Sequence, residues 1–282
     1  MRRAYYEIGA TTLLLHAGRG VLDSQIRLAK AMGVTLIEFF PSLALRYLER
    51  ARELGIDMSG VRLACGGESF AEAYRRKIEA RYGVTFFPTI YAGAEVRTVA
   101  VECEERRGMH IFADLHIVEV IDPETQQVLN EGEQGELVIT DLTIDSTPMI
   151  RWRPGDIGSL VPYEPCSCGR THPKIALPIK GRIAFSVKVR GKRIFPIEVE
   201  EVVASITGLG DQYQMIKSNP EEQEKLKVKV EYSPEVKDIA ALKRQTEKAL
   251  NQAFGVDSEV ELVPANTIEP AIFKAQRIVR TY

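Results

Sequence analysis

The chain has 282 residues, 45% hydrophobic and 27% charged, with a net charge of -2, which is ordinary globular composition with room for one large and one small domain. The near-neutral balance gives no reason to expect nucleic acid or an anionic membrane as the main partner. No run approaches the ~18 apolar residues of a membrane span, and four cysteines do not suggest a disulfide scaffold, so a reducing cytoplasm is expected.

Met1-Arg2-Arg3 is basic, but Tyr5-Tyr6-Glu7 follows where a secretory signal needs an apolar core. Residues 1 to 9 read as the end of a helix, and Thr11 to Leu15 as a short buried strand. Asp23 is placed to cap a helix through Met32, in which Ile26, Leu28, Ala29 and Met32 recur near helical spacing. Val34 to Phe40 is a second apolar, β-branched run. Pro41-Ser42 opens a helix to Leu54 that Gly55 closes. Val61 to Cys65 reads as a third strand, Ser69-Phe70-Ala71-Glu72 as a capping box for a helix ending near Tyr82-Gly83, and Val84 to Phe87 as a fourth strand.

Strands alternating with helices in this way indicate a mostly parallel, helix-flanked sheet over residues 1–95. Such sheets bind ligands beyond the ends of their strands. Cys65-Gly66-Gly67-Glu68 and the stretch Pro88 to Glu95 are the two loops that fit, and glycines in the first let a ligand approach the backbone.

From Val96 to Pro165 the pattern changes to short β runs with turn signals, among them Ile117 to Ile121, Asp122-Pro123-Glu124-Thr125 and Gly135 to Thr140. This reads as an antiparallel sheet or small barrel that completes the first domain through residue 180. Cys103 and His110 flank a polar turn, and Cys166-x-Cys168-Gly169 is a knuckle. Together they make a Cys3His set, the count that closes a structural zinc site; the alternative is that these are small buried residues packed for volume. After Gly181-Arg182 the architecture becomes α+β, over 181–282. Two short strands sit about Gly191, Pro196 starts a helix through Ile206, Lys225 to Tyr232 is a half-buried strand, and an amphipathic helix through Phe254 precedes a last strand, Ser258 to Val263.

The order Pro148-Met149-Ile150-Arg151-Trp152-Arg153-Pro154-Gly155-Asp156, then Gly181-Arg182, then Val189 to Pro196 with Glu198 and Glu200 resembles the adenylate-forming enzymes, most closely the phenylacetate-CoA ligase family. The resemblance implies an α/β chain. It comprises a partial large adenylating domain, with a parallel sheet, helices and a small antiparallel β subdomain, and then a small mobile α+β domain. It implies an AMP-forming acid-CoA ligase that joins a small, aromatic carboxylic acid to AMP from ATP, with magnesium, and then to coenzyme A. It makes Asp156 the ribose ligand, and a carboxylate suits two neighbouring hydroxyls. It places Tyr91 on adenine and Glu95 at magnesium, although only those two residues match the family's Tyr-Gly-x-Thr-Glu, with Ala92 and Ala94 at the others. Gly66, Gly67 and Glu68 border the nucleotide and acyl pocket, Arg182 is a further nucleotide contact, and Lys274 enters for the first half-reaction, behind Phe273 where glycine is usual.

Two departures accompany the match. The family's Ser/Thr/Gly-rich loop, which cradles phosphates through backbone N–H groups, has no counterpart in these residues. Ala184 and Phe185 stand where the acidic hinge pair follows Gly-Arg. The expectation is therefore a truncated or degenerate relative. It is completed by a separate chain or a homodimer, or is a non-catalytic nucleotide-binding scaffold, or adenylates for an acceptor other than CoA.

Overall fold

Strands β1 (Leu36–Phe39), β2 (Arg62–Gly66) and β3 (Thr85–Gly93) run parallel, connected by the helices α3 (Pro41–Glu53) and α4 (Glu72–Tyr82). Two helices precede them, α1 (Arg2–Glu7) and α2 (Leu22–Ala31). The computed structural model describes residues 2–14, 21–269 and 276–282. In α3, Pro41 sits at the first turn, where its missing N–H costs nothing, and Ala44, Leu45, Tyr47, Leu48 and Ala51 form the buried face. They pack with Leu63, Ile78 and Phe86, and also with Phe195 and Ile197 from far along the chain. The first core is thus closed by residues of the C-terminal part, and burying each of those two side chains contributes about 1.5–3 kcal/mol.

The parallel sheet is then extended by antiparallel strands. β4 (Arg97–Glu102) and β5 (Met109–Ile111) follow β3 directly. The chain next makes β6 (His116–Ile121), β7 (Gly135–Asp141) and β8 (Asp156–Gly158), and returns through β9 (Leu160–Val161) and β10 (Lys174–Ile175) to pair with β5. The result is a seven-stranded sheet in the order β1-β2-β3-β4-β5-β10-β9, and beside it a four-stranded sheet β11-β8-β7-β6, where β11 is Gly181–Arg182.

The remainder comprises a hairpin, β12 (Val187–Val189) with β13 (Lys192–Ile194), helix α5 (Pro196–Ser205), and a sheet in the order β16-β15-β14-β17. That sheet is made of β14 (Leu209–Lys217), β15 (Leu226–Tyr232), β16 (Ser258–Pro264) and β17 (Ile278–Arg280), with α6 (Ile239–Phe254) between β15 and β16. Alternation in β15 buries Leu226, Val228 and Val230 against Leu242 and Leu250 of α6.

Several sequence expectations are corrected. Residues 9–14 form no strand and are largely exposed, because β1 stands at the sheet edge and an apolar run without a partner strand leaves its backbone groups unpaired. Asp23 does not cap α2, which starts after Val21; its carboxylate pairs with Arg50 on α3 at 2.6 Å. Ser69 is not the cap of α4, whose N-cap is Ala71. The fourth expected strand does not end at Phe87: β3 continues to Gly93, held there by pairing with β4, and a register shift opposite Leu63 and Cys65 accommodates Pro88. The 96–165 region divides between two sheets instead of forming one. β14 was not expected; Gly210-Asp211-Gln212 breaks its apolar pattern, and its register shifts between Leu209 and Tyr213.

Arg75 of α4 is only 3% exposed. Its guanidinium meets Glu102 of β4 at 2.9 and 3.1 Å, and Glu102 also accepts from the Thr89 amide at 3.0 Å. Removing one member of a buried pair leaves the other charge uncompensated. Glu102→Ala should therefore lower the unfolding free energy by roughly 3 kcal/mol in urea titrations, and a change within about 0.5 kcal/mol, the range of ordinary surface substitutions, would contradict this account.

Candidate functional site

Asp156 opens β8 immediately after Gly155, whose φ of 83° is a turn conformation suited to glycine. β8 lies between β7 and β11, and its register sets Arg182 opposite Asp156. The Arg182 Nε is 3.4 Å from Asp156 Oδ1, while the Tyr91 hydroxyl donates to Asp156 Oδ2 at 3.0 Å. Tyr91 comes from β3 of the other sheet, so this carboxylate is where the two sheets meet. Burial, and next the Asp156 charge, pushes the Tyr91 phenol well above its ordinary value, which keeps its proton in place as a donor. Tyr91 was expected on a loop; its position on a strand fixes the ring more tightly.

Gly66 pairs with Ile90, the residue before Tyr91. A Cβ at Gly66 would stand 2.8 Å from the Ile90 carbonyl oxygen, so the approach of β2 to β3 itself requires glycine there. Gly67 has φ of 75° and turns the chain out of the strand. Glu68 is turned toward α3: its two oxygens accept from the Ser42 amide and hydroxyl, each at 3.0 Å, at the helix N-terminus that favours negative charge. Glu95 lies in the turn between β3 and β4, where a Cβ added at Gly93 would stand 3.3 Å from the Glu95 carboxylate and 3.4 Å from the Trp152 ring. Lys274 lies outside the described residues.

Sequence reading missed the anchor of that turn. His116 is 3% exposed, and its Nε2 lies 2.8 Å from the Val96 carbonyl oxygen and 3.2 Å from Asp141 Oδ2. Since a carbonyl only accepts, Nε2 carries the proton. Cross-strand pairing of His116 with Asp141 orients the ring, and so the four-stranded sheet holds the turn bearing Glu95. Nothing in the spacing of residues 95, 116 and 141 reveals this.

On the opposite side of β4, the structure brings Cys103, His110, Cys166 and Cys168 together, with their ligand atoms all within 4.8 Å of one another. The Cys103 and Cys166 sulfurs are 3.8 Å apart, and Cys168 Sγ is 3.5 Å from His110 Nε2. Tetrahedral bonds of about 2.3 Å to sulfur and about 2.0 Å to nitrogen give edges of roughly 3.8 and 3.5 Å, so these separations suit a zinc ion. His110 Nδ1 is 3.2 Å from the His172 carbonyl oxygen and donates to it, leaving Nε2 as a lone pair toward the thiols. Burial holds His110 below its ordinary value and so neutral, as a metal ligand must be. Cys168 is held down to about 7, first by the Arg170 backbone amide, whereas burial pushes Cys103 up to about 11. Cys65, on β2 and 1% exposed, is simply a core residue.

Among the described residues no helix is long and apolar enough to cross a membrane. Residues 191–281 match the AMP-binding enzyme C-terminal domain. The chain is 31% identical to a phenylacetate-coenzyme A ligase of Thermus thermophilus, over 87% of this chain and 60% of that protein. It is 32% identical to one of Aromatoleum evansii, over 97% of this chain and 63% of that protein. Among solved structures, 2-hydroxyisobutyryl-CoA ligase in its postadenylation state with R3-HIB-AMP superposes with a TM-score of 0.87, at 26% identity, over 94% of this chain and 58% of that one. The same ligase in an open conformation gives 0.63 over 98% of this chain and 62% of that one, and in its thioesterification state 0.60 over 98% and 60%. The chain spans about three-fifths of the length of these relatives, and it belongs, as a partial-length member, to the phenylacetate-CoA ligase family of adenylate-forming enzymes.

Proposed function

We propose that this chain forms the adenosine-binding face and the mobile C-terminal unit of an AMP-forming acid-CoA ligase acting on an aromatic carboxylic acid. The observation that carries this reading is the Asp156 carboxylate, set at the meeting of two sheets and flanked by the Tyr91 hydroxyl and Arg182. In this reading Asp156 accepts from the ribose hydroxyls, the Tyr91 ring lies against adenine, and the Gly66-Gly67 backbone borders the acyl group. Arg182 lies beside the carboxylate and adds positive charge near the phosphate. Glu95 would hold magnesium, which neutralises charge on the phosphate oxygens when bound.

The substrate carboxylate forms a bond to the α-phosphorus as the bond to pyrophosphate breaks. Lys274 stabilises the charge that builds on the phosphate oxygens. In the second step the thiol sulfur of coenzyme A bonds to the acyl carbon and AMP leaves with the carboxyl oxygen. The C-terminal unit turns between the two steps.

A charged hydrogen-bond acceptor contributes about 1.5–3 kcal/mol. Asp156→Ala should therefore weaken AMP binding by roughly ten- to a hundredfold in calorimetry, with the melting temperature little changed. The 282 residues offer adenosine contacts but no Ser/Thr/Gly-rich cradle for the outer phosphates, so ATP should bind within about threefold of AMP. An Asp156→Ala protein that binds AMP like the wild type would remove the assignment of the site, and much tighter ATP binding would show that another group holds the phosphates.

The cysteine and histidine cluster is read as a structural zinc site, since its separations match those edges and all four ligands are drawn from loops and short strands. Protein prepared without a histidine tag should carry one zinc per chain by elemental analysis. Cys166→Ser should lose that zinc and lower the melting temperature by at least about 5 °C, since structural zinc contributes directly to folding. Metal-free wild-type protein with an unchanged melting temperature would refute it.

A further inference from the structure

Helix α4 begins without a cap of its own. Its N-cap residue is Ala71, and no side chain of its own segment receives the first amides, although the opening turn of every helix leaves N–H groups that need acceptors. They are received from 129 and 128 residues further along the chain: the Ala71 amide donates to Glu200 Oε2 at 2.8 Å, and the Ala73 amide to Glu201 Oε2 at 2.9 Å. Both carboxylates project from α5, the first helix of the C-terminal unit. Along the same helix, Lys77 Nζ is 2.6 Å from Asp211 Oδ1, and Arg81 Nη1 is 3.1 Å from Asp211 Oδ2, with Asp211 on β14 of that unit.

The charges are arranged for this contact. Two carboxylates stand at the positive end of the helix dipole, and the third lies between two cations. Burial pushes the Glu200 carboxyl up to about 7, against the Arg277 guanidinium and the Ala71 amide. Arg277 in turn lies 3.6 Å from Glu200 and 4.3 Å over the Tyr213 ring.

The match to the hydroxyisobutyryl ligase is close in its postadenylation state and much weaker in its open and thioesterification states, at nearly equal identity and coverage. The parts of that relative therefore stand differently in those states, and this chain shares the first arrangement. We infer that Glu200, Glu201 and Asp211 are positioning residues that hold the C-terminal unit in this orientation, with the N-terminal turn and the cationic flank of α4 as their receptor. Hydrogen bonds and ion pairs of this kind can be broken and remade while the core of the C-terminal unit itself stays intact. Phe195 and Ile197 supply the apolar part of the seam near the junction. The inference does not depend on whether these residues adenylate by themselves.

The test is hydrogen exchange by mass spectrometry together with small-angle scattering on the full 282-residue chain, comparing wild type, Asp211→Lys, Glu201→Ala and the charge swap Lys77→Glu/Arg81→Glu/Asp211→Lys. In Asp211→Lys, amides of residues 71–82 should exchange roughly tenfold faster and the radius of gyration should increase, while β6, β7, β15 and β16 keep their wild-type rates. Glu201→Ala should give a smaller increase, roughly fivefold, confined to the first turn of α4. The charge swap should restore slow exchange and the original radius. Unchanged exchange and radius in both Asp211→Lys and Glu201→Ala would overturn the inference. Faster exchange in every element alike, not reversed by the swap, would also overturn it, since that outcome assigns the residues to overall stability.

Discussion

A guanidinium taken out of water must find its charge partner inside the protein, and the pairing of Arg75 with Glu102 determines much else in this molecule. It fixes α4 against the strand pair β3 and β4. Through Glu102 it also takes up the amide of Thr89, two residues before Tyr91. The next residue after Glu102 is Cys103, the first member of the cysteine and histidine cluster. The Tyr91–Asp156 contact, the cysteine and histidine cluster and the α4 surface that meets α5 and β14 therefore all draw on one helix and one strand pair. A change in the position of α4 would be felt in all three.

The sequence was most legible where structure rests on local order. Gly155-Asp156 lies in a turn that its own residues define, and Cys166-x-Cys168 is a local knuckle, so both could be found by pattern. The strands and helices of the parallel layer were also readable, because Pro41, Gly55 and Gly83 punctuate them and buried positions recur along α3. What stayed hidden depends on partners distant in the chain. Ser69 and Glu72 have the spacing of a capping box, yet the α4 amides are received by Glu200 and Glu201, and no local rule anticipates acceptors more than a hundred residues away. The same holds for His116 and Asp141, ordinary strand residues in the sequence that gain meaning only when their sheet meets the turn at Glu95.

The limits of β3 make a related point. Val84 to Phe87 reads as a complete strand because Pro88 cannot donate to a ladder, but β4 supplies pairing on its other side and carries the strand on to Gly93. A tertiary partner overrides a local stop. This matters for the site, because it places Tyr91 on a paired strand of one sheet and Asp156 on a strand of the other, with the hydroxyl and carboxylate in direct contact.

Cys103 and Cys166, whose sulfurs lie 3.8 Å apart, are separated by 63 positions in the chain. Between them runs the whole excursion through β6, β7 and β8, so the four-stranded sheet is, in polymer terms, mostly a loop inserted into the seven-stranded one and pinched at its neck. A cross-link at such a neck acts chiefly on the unfolded chain, by removing the freedom of a long loop, and its effect grows only slowly with loop length. Any bond made there, whether through a metal or directly, would therefore stabilise a sheet that it does not touch, adding to the Tyr91–Asp156 and His116–Val96 contacts that already tie that sheet to its neighbour.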